Sequence, residues 1–186
     1  MQYADFIKCL EENPVIASTY DDLWGEAIAS PAQVIFYLSA NILSIEERTA
    51  TAHEAGKILL VHADLAEGIG KDSSGMKYLM KCGVDGIIST KAYLIKLAKE
   101  CGLVAIQRTF LFDSKGIENI TDMVKGTAPH FMEIMPGVIE KEIIRFSKGR
   151  VPVIAGGLIE TKAEVTKALR CGAIAVSTGK PELWSI

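Results

Sequence analysis

The chain has 186 residues, of which 49% are hydrophobic, a length and composition that suit one domain with a sizeable buried core. Its 20 basic and 23 acidic side chains leave a net charge of −3, which argues weakly against a nucleic-acid partner. The apolar runs are too short to cross a bilayer, so we expect no membrane partner, and the four cysteines form no C-x-x-C pair that would indicate a metal site. The first five residues lack the basic start and apolar core of a signal peptide, which predicts a cytoplasmic location.

Short apolar runs recur along the chain at a spacing of roughly twenty residues, and each suits a buried parallel strand. The eight predicted strands are 15–17, 34–38, 58–62, 86–89, 104–107, 131–135, 153–155 and 174–177. Helical patterns lie between them, with capping boxes predicted at Ser44–Glu47 and Thr161–Glu164. Six glycines are predicted to end helices: Gly56, Gly83, Gly102, Gly126, Gly149 and Gly172.

This alternation predicts an α/β fold, a (β/α)8 TIM-type barrel with short loops that forms a single domain over residues 1–186. A doubly wound open sheet is the alternative, but it would place a glycine-rich turn after the first strand. Here residues 18–21 read Ser-Thr-Tyr-Asp, and the glycines follow the seventh strand instead. Residues 82–91 also resemble residues 171–180, half a barrel further along, which a duplicated half-barrel or shared packing demands would explain equally well.

The ends of the seventh and eighth strands carry residues with small or hydroxyl-bearing side chains. Glycine lets a bound group approach the backbone N–H groups, and Ser and Thr add hydroxyl donors. Pro181 suits the first turn of a short helix beyond the eighth strand. Together these features predict a phosphate-binding cup for a small phosphorylated ligand, although plain strand-to-helix turns would also look like this. The predicted phosphate ligands are Gly156, Gly157, Ser177, Thr178 and Gly179.

Polar side chains at the ends of the other strands are the remaining candidates, because function in such barrels lies at the C-terminal strand ends. They are His62, Asp64, Lys91, Gln107, Arg108 and Glu133. The acidic and histidine side chains could bind hydroxyls, move protons or form a hydrogen-bonded polar layer, whereas a metal site is disfavoured because no second histidine is near. Lys91 follows its strand, so a charge contact is favoured over a Schiff base.

Two further features concern partners. Arg108 suits bidentate contact with a carboxylate or phosphate, and the apolar residues 110–112 that follow could form a lid, a homo-oligomer contact or local core. Residues 1–70 carry 3 basic and 11 acidic side chains, whereas residues 71–108 carry 7 basic and 3 acidic ones. The basic middle is either a solvated mixture of charges or a surface for an anionic partner.

Six stretches, taken in order along the chain, resemble the glycerol uptake operon antiterminator family. They are residues 57–68, 85–91, 106–108, 133–137, 154–159, and 175–178 with 182–184. The resemblance implies a non-enzymatic bacterial regulator on a barrel scaffold. Such a regulator responds to glycerol 3-phosphate as effector, without a cofactor, and acts on leader messenger RNA of glycerol-utilisation operons so that transcription continues past a terminator.

On this hypothesis the cup holds the phosphate, and the other strand-end residues receive the glycerol hydroxyls or add positive charge at the mouth. The basic middle supplies the proposed RNA surface, formed by Lys71, Lys77, Lys81, Lys96 and Lys99. Two alternatives remain open: a barrel isomerase, aldolase or lyase that acts on a phosphorylated triose or sugar, and a metabolite-binding module without RNA contact.

Overall fold

The computed structural model describes residues 3–186, with side chains from residue 5 onward, and its eight parallel strands close into a barrel in chain order. This architecture confirms the predicted TIM-type barrel. The strands are β1 Val15–Thr19, β2 Val34–Tyr37, β3 Ile58–His62, β4 Gly86–Ser89, β5 Val104–Phe110, β6 Phe131–Met135, β7 Val153–Gly156 and β8 Ala175–Thr178.

The helices cover the outside of the barrel, apart from the first one, which precedes β1. They are α1 Tyr3–Glu12, α2 Trp24–Ala29, α3 Ile45–Glu54, α4 Ser73–Lys81, α5 Ala92–Glu100, α6 Ser114–Thr127, α7 Glu140–Ser147 and α8 Lys162–Arg170. Two single-turn 3-10 helices, Asp21–Leu23 and Pro181–Leu183, follow β1 and β8. The second is the short helix predicted beyond the eighth strand.

The helix boundaries confirm some of the predicted punctuation and correct the rest. Thr161 forms the predicted capping box with Glu164 at the start of α8. The second predicted box is wrong, because the Ser44 side chain makes no cap bond to α3. Gly126 does not end α6 either: it lies inside the helix, and Ala128 takes the left-handed conformation there with φ 43°.

The barrel interior is closed at its N-terminal end by α1. Phe6 and Leu10 of this helix pack among the first inward side chains of the strands, and the rings of Phe6 and Phe131 lie 5.0 Å apart, edge to face. Burying such a side chain contributes about 1.5–3 kcal/mol to the free energy of folding, so these two residues anchor α1 to the N-terminal end of the barrel. The C-terminal end is left as the open mouth of the barrel.

Strand alternation determines which residues face that mouth. In β5, Ile106 belongs to the cluster inside the barrel, whereas Ala105 belongs to the cluster between barrel and helices. Successive side chains point to opposite faces, so Arg108 faces inward and Gln107 faces outward. Within the described residues, the structure contains no helix with both the length and the apolar character that bilayer crossing requires.

Candidate ligand site at the mouth of the barrel

A cavity of about 320 Å³ opens at the C-terminal end of the barrel, bounded by the ends of β1, β5, β6, β7 and β8. Six of the predicted site residues line it: Arg108, Glu133, Gly157, Ser177, Thr178 and Gly179. Residues from opposite ends of the sequence therefore meet around one hollow, as the barrel closure between β1 and β8 requires.

A buried carboxylate organises the floor of this cavity. Glu133 is fully buried, and its Oε2 accepts a hydrogen bond from Nε of Arg108 at 2.5 Å. Its Oε1 accepts from the hydroxyl of Ser177 at 2.6 Å. The terminal guanidinium nitrogens of Arg108 have no hydrogen-bond partner in the described part of the chain, and Arg108 lines the cavity. A cation held by Glu133 thus presents donors to whatever occupies the hollow.

The glycine at position 156 serves this arrangement by having no side chain. A Cβ atom placed there would lie 2.5 Å from both Glu133 Oε1 and Ser177 Oγ, which would disrupt the bond between them. Gly156 therefore makes room for the carboxylate beneath the cavity and is not among the residues that line it. This differs from its predicted role as a direct phosphate ligand.

The rim of the cavity exposes backbone donors. Among the described residues, the N–H groups of Gly157, Leu158 and Gly179 donate to no protein acceptor. Gly157 and Leu158 both have positive φ, 73° and 58°, a conformation that costs a residue other than glycine about 1–2 kcal/mol. The Leu158 side chain is 69% exposed and points away from the core. Unpaired amides of this kind form an anion-binding surface.

The turn after β4 has the same construction as the turn after β8. The hydroxyl of Ser89 accepts from the N–H of Lys91 at 2.9 Å, and that of Thr178 accepts from the N–H of Lys180 at 3.2 Å. The sequence similarity of residues 82–91 and 171–180 is thus a similarity of structure. It makes Thr90 the counterpart of Gly179.

The β4 turn already contains an anion, the carboxylate of Asp64. Its Oδ2 accepts from the N–H of Thr90 at 2.8 Å and from the Thr90 hydroxyl at 2.6 Å, and its Oδ1 accepts from the Ser89 hydroxyl at 2.5 Å. Burial disfavours the charged form, but these hydrogen bonds outweigh it and hold the pKa of Asp64 below its ordinary value. Asp64 is therefore an ionised internal group with its acceptors engaged, and it does not line the cavity.

No carboxylate occupies the corresponding place in the β8 turn. Leu60 pairs with Gly86, and Ile154 pairs with Ala175 in the equivalent register, so the counterpart of Asp64 is Leu158. Because the side chain of Leu158 has no hydrogen-bond acceptor, the N–H of Gly179 is left without the partner that the N–H of Thr90 has.

The structure does not bring the other predicted mouth residues into the cavity. Gln107 faces outward, and its Nε2 donates to the carbonyls of Ser89 and Thr90 at 3.2 and 3.1 Å. Lys91 begins α5 and its side chain is exposed. His62 is buried at the mouth with an unpartnered Nδ1, and burial together with the nearby Arg108 lowers the pKa of His62.

Thr178 lies at the cavity wall, but its side chain serves the fold. Its hydroxyl donates to the carbonyl of Ile159 at 2.8 Å, and its own carbonyl accepts from the indole N–H of Trp184 at 2.8 Å. These bonds attach the last 3-10 helix to the barrel. The outward direction of its side chain follows from the alternation that turns Ser177 inward.

The proposed RNA lysines fall into two groups. Lys77 and Lys81 on α4 and Lys96 on α5 are exposed, and within the described residues none of them forms an ion pair. The other two donate to backbone carbonyls: Lys71 to that of Ala66 at 2.5 Å, and Lys99 to that of Ala128. Burial lowers the pKa of Lys71.

Sequence reasoning missed the wall that comes from the loop after β1. Tyr20 and Asp22 line the cavity there, close to Ser18 at the strand end, while Met135 and Leu158 line the other side. Tyr20 and Asp22 could have been predicted by considering the loop residues that follow a strand as well as the residues at the strand end. Across the described residues, the structure contains no group of three His, Cys, Asp or Glu side chains that could hold a metal ion.

Comparison with known proteins shows the family to which the chain belongs. The profile of the family described as glycerol-3-phosphate responsive antiterminator matches residues 15–184. YgcP of Escherichia coli K12, described as uncharacterized, is 36% identical over 180 residues, which cover 95% of this chain and 94% of that protein.

Two crystal structures are similar over nearly the whole chain. One is a glycerol uptake operon antiterminator regulatory protein from Listeria monocytogenes, with 31% identity and a TM-score of 0.87 over 92% of this chain and 95% of its own. The other is a glycerol uptake operon antiterminator-related protein from Thermotoga maritima, with 30% identity and a TM-score of 0.83 over 91% of this chain and 96% of its own.

Proposed function

Because this chain belongs to the glycerol-3-phosphate responsive antiterminator family, we propose that it binds glycerol 3-phosphate at the mouth of its barrel and then binds leader messenger RNA of glycerol-utilisation operons. RNA binding by the liganded form lets transcription continue past a terminator.

The observation that carries the ligand site is the pair of matching turns. In the β4 turn an anion already accepts from the N–H of Thr90, and in the β8 turn the matching N–H of Gly179 faces an open cavity. An external phosphate group is the anion that fills this second position. The N–H groups of Gly157 and Leu158 belong to the same cavity wall, and Arg108 adds positive charge.

The glycerol hydroxyls lie deeper and toward β1. Each carboxylate oxygen of Glu133 has one hydrogen-bond partner in the protein and keeps acceptor capacity for a hydroxyl. Ser18 and Asp22 provide further polar groups on the opposite wall. Glycerol 3-phosphate has a dianionic phosphate and a short chain with two hydroxyls. The phosphate matches the N–H donors at the rim of the cavity, and the hydroxyls match the acceptors deeper in it.

The same geometry favours a regulator over the alternative enzyme. In the part of the chain that the structure describes, none of the strands contains a lysine, so a Schiff base inside the barrel has no nucleophile. Asp64 is an ionised hydrogen-bond acceptor, and Glu133 is held by Arg108 and Ser177. Neither carboxylate is poised as a free general base, which supports ligand binding without turnover.

The exposed lysines of α4 and α5, namely Lys77, Lys81 and Lys96, are the proposed phosphate-contacting surface for RNA. A triple Lys→Glu variant at these positions should weaken leader RNA binding and reduce the slope of log affinity against log salt by about 2. The matched control reverses three exposed lysines on α7 and α8, Lys141, Lys148 and Lys162, with the same change in net charge.

The decisive experiment measures leader RNA binding by gel shift with and without glycerol 3-phosphate, beside an assay for chemical conversion of that ligand. Ligand-dependent RNA binding without conversion is the expected result. Conversion of the ligand would support the enzyme instead, and ligand binding without any RNA binding would support a metabolite-binding module. Equal loss of RNA affinity in both charge-reversal triples would move the RNA surface elsewhere.

A further inference from the structure

Two aromatic rings project from the mouth at the end of β5. Phe110 and Phe112 are 42% and 86% exposed, and their rings are stacked with centroids 5.8 Å apart and planes inclined by 24°. The contact with Phe110 covers little of Phe112, so most of the Phe112 ring is open to solvent. Exposed rings of this kind need a partner surface, because their apolar faces gain free energy when they are covered.

Phe110, the first ring of the pair, is the last residue of β5. β5 continues to Phe110, which pairs with Met135 of β6, and the N–H of Leu111 donates to the carbonyl of Met135 at 2.8 Å. Leu111 is buried between the two aromatic residues. Phe110 therefore stands on a paired strand, and Phe112 lies between Leu111, which is bonded to β6, and Asp113, whose side chain caps α6. Because both neighbours of Phe112 are bonded, a partner that stacks on its ring has only one residue to order.

Two lysines lie on the elements next to the ring pair. Lys91 follows β4, the strand that pairs with β5, and is the N-cap residue of α5. Lys115 lies in the first turn of α6, three residues after Phe112. Both side chains are exposed, and in the described part of the chain neither forms an ion pair.

We propose that the open face of Phe112 stacks an unpaired base of the leader RNA, while Lys91 and Lys115 contact the phosphates on either side. Aromatic rings between cations are the usual means of holding single-stranded RNA, because every base has a face that stacks and every nucleotide carries a charge. The inference rests on the proposed function, since it names the part of that RNA which this mouth contacts. It assigns the exposed residues Phe110 and Phe112 to RNA contact rather than to a lid or to contact with a second copy of the chain.

The ring pair also adjoins the ligand cavity. Arg108 lies two residues before Phe110 on the same face of β5, and Met135, the pairing partner of Phe110, lines the cavity. A ligand in the cavity therefore lies beside the strand that leads to the rings, so the proposed ligand site and the proposed RNA contact are neighbours.

The test uses fluorescence anisotropy with labelled leader RNA at saturating glycerol 3-phosphate. Phe112→Ala should weaken RNA binding by about 5- to 100-fold, the loss of one stacked base, while the affinity for glycerol 3-phosphate measured by calorimetry is unchanged. Phe112→Trp should restore RNA binding, because stacking needs a ring and not this particular side chain. Leu43→Ala is the matched control, since Leu43 is 92% exposed and precedes α3 rather than following β5.

Unchanged RNA affinity in Phe112→Ala, with binding by the wild-type chain intact, would overturn this inference and leave the proposed function standing. Loss of a wild-type dimer in Phe112→Ala, measured by sedimentation, with RNA affinity unchanged, would assign the rings to contact between copies instead. Failure of the wild-type chain to bind leader RNA would overturn both.

Discussion

The turns after β4 and β8 are built from similar sequences, yet one is filled and the other is open. In the first, the side chain of Asp64 accepts three hydrogen bonds from Ser89 and Thr90. In the second, Leu158 stands at the position of Asp64, and Gly179 stands at that of Thr90. The difference teaches that a small change in side chains decides whether the backbone donor of such a turn has an acceptor within the protein or is left free.

The β4 turn, which holds the Asp64 carboxylate, indicates which kind of group would suit the β8 turn. A carboxylate at the β4 turn is stabilised strongly enough for its pKa to stay low despite partial burial. The β8 turn offers its unpaired N–H beside Arg108, so an incoming dianion meets similar backbone geometry with added positive charge. The contrast between the two turns can be tested in three ways. A larger side chain can be placed in the open β8 turn, a carboxylate can be added to that turn, and the carboxylate of Asp64 can be removed from the β4 turn.

Filling the open turn should have the largest effect. Gly179 faces the cavity, and a Cβ atom there would meet no neighbour closer than the Ser18 carbonyl at 3.5 Å. Gly179→Leu should therefore fold normally but weaken glycerol 3-phosphate binding by at least about 100-fold, or ~2.7 kcal/mol, as measured by calorimetry.

Gly126→Leu is the control for this substitution, because a Cβ atom at Gly126 in α6 meets nothing within 4 Å and Gly126 does not line the cavity. Gly157 is a poorer target for the same test, since its φ of 73° and the nearby Met135 side chain would strain any larger residue. Normal ligand affinity in a folded Gly179→Leu protein would show that the phosphate binds elsewhere.

Giving the open turn its own anion should have an intermediate effect. Leu158→Asp places a carboxylate at the counterpart of Asp64, and Asp tolerates the positive φ better than Leu does. Repulsion of the incoming phosphate, or occupation of the Gly179 N–H, should weaken ligand binding by about 10- to 30-fold.

The neutral variant Leu158→Asn has nearly the same shape and separates charge from size. Calorimetry should find Leu158→Asn close to the wild type, and added salt should narrow the gap between the two variants. Equal losses in the Asp and Asn variants would mean that the leucine side chain itself contacts the ligand.

Emptying the closed turn should affect stability and leave ligand affinity alone. Asp64→Asn replaces an acceptor with an amide beside the donors of Thr90, which should lower the free energy of unfolding by about 1–3 kcal/mol at pH 7. Because the folded-state pKa of Asp64 is depressed, its contribution is present above the ordinary carboxyl pKa and is lost as the pH falls through the lower folded value.

Urea unfolding of both proteins at pH 7 and at pH 3 measures this effect, and the gap between wild type and Asp64→Asn should shrink at the lower pH. Glycerol 3-phosphate affinity at pH 7 should stay within about threefold of the wild type, since Asp64 does not line the cavity. A large loss of affinity would instead place Asp64 among the ligand contacts.

Much of the barrel could be predicted from the sequence because each strand is a local apolar run. The ends of β3, β4 and β6 fall where the pattern predicts, whereas β5 runs three residues further, to Phe110. That extension depends on pairing with Met135, which lies 25 residues away along the chain, and no local pattern encodes it. The capping box predicted at Ser44 also depended on more than the local sequence. Residues 44–47 fit the pattern, but the Ser44 side chain makes no hydrogen bond to the start of α3.

Within the candidate site, the sequence by itself determined which strand ends carry polar side chains, since these residues stand out against an apolar background. Only the tertiary structure decided which of them share a cavity. Arg108 and Gln107 are neighbours in sequence, yet one faces the mouth and the other the helices, because strand side chains alternate. Whether a turn is open depends on the residue across from it: Asp64 closes the turn at Thr90, and Leu158 leaves the turn at Gly179 free for a ligand.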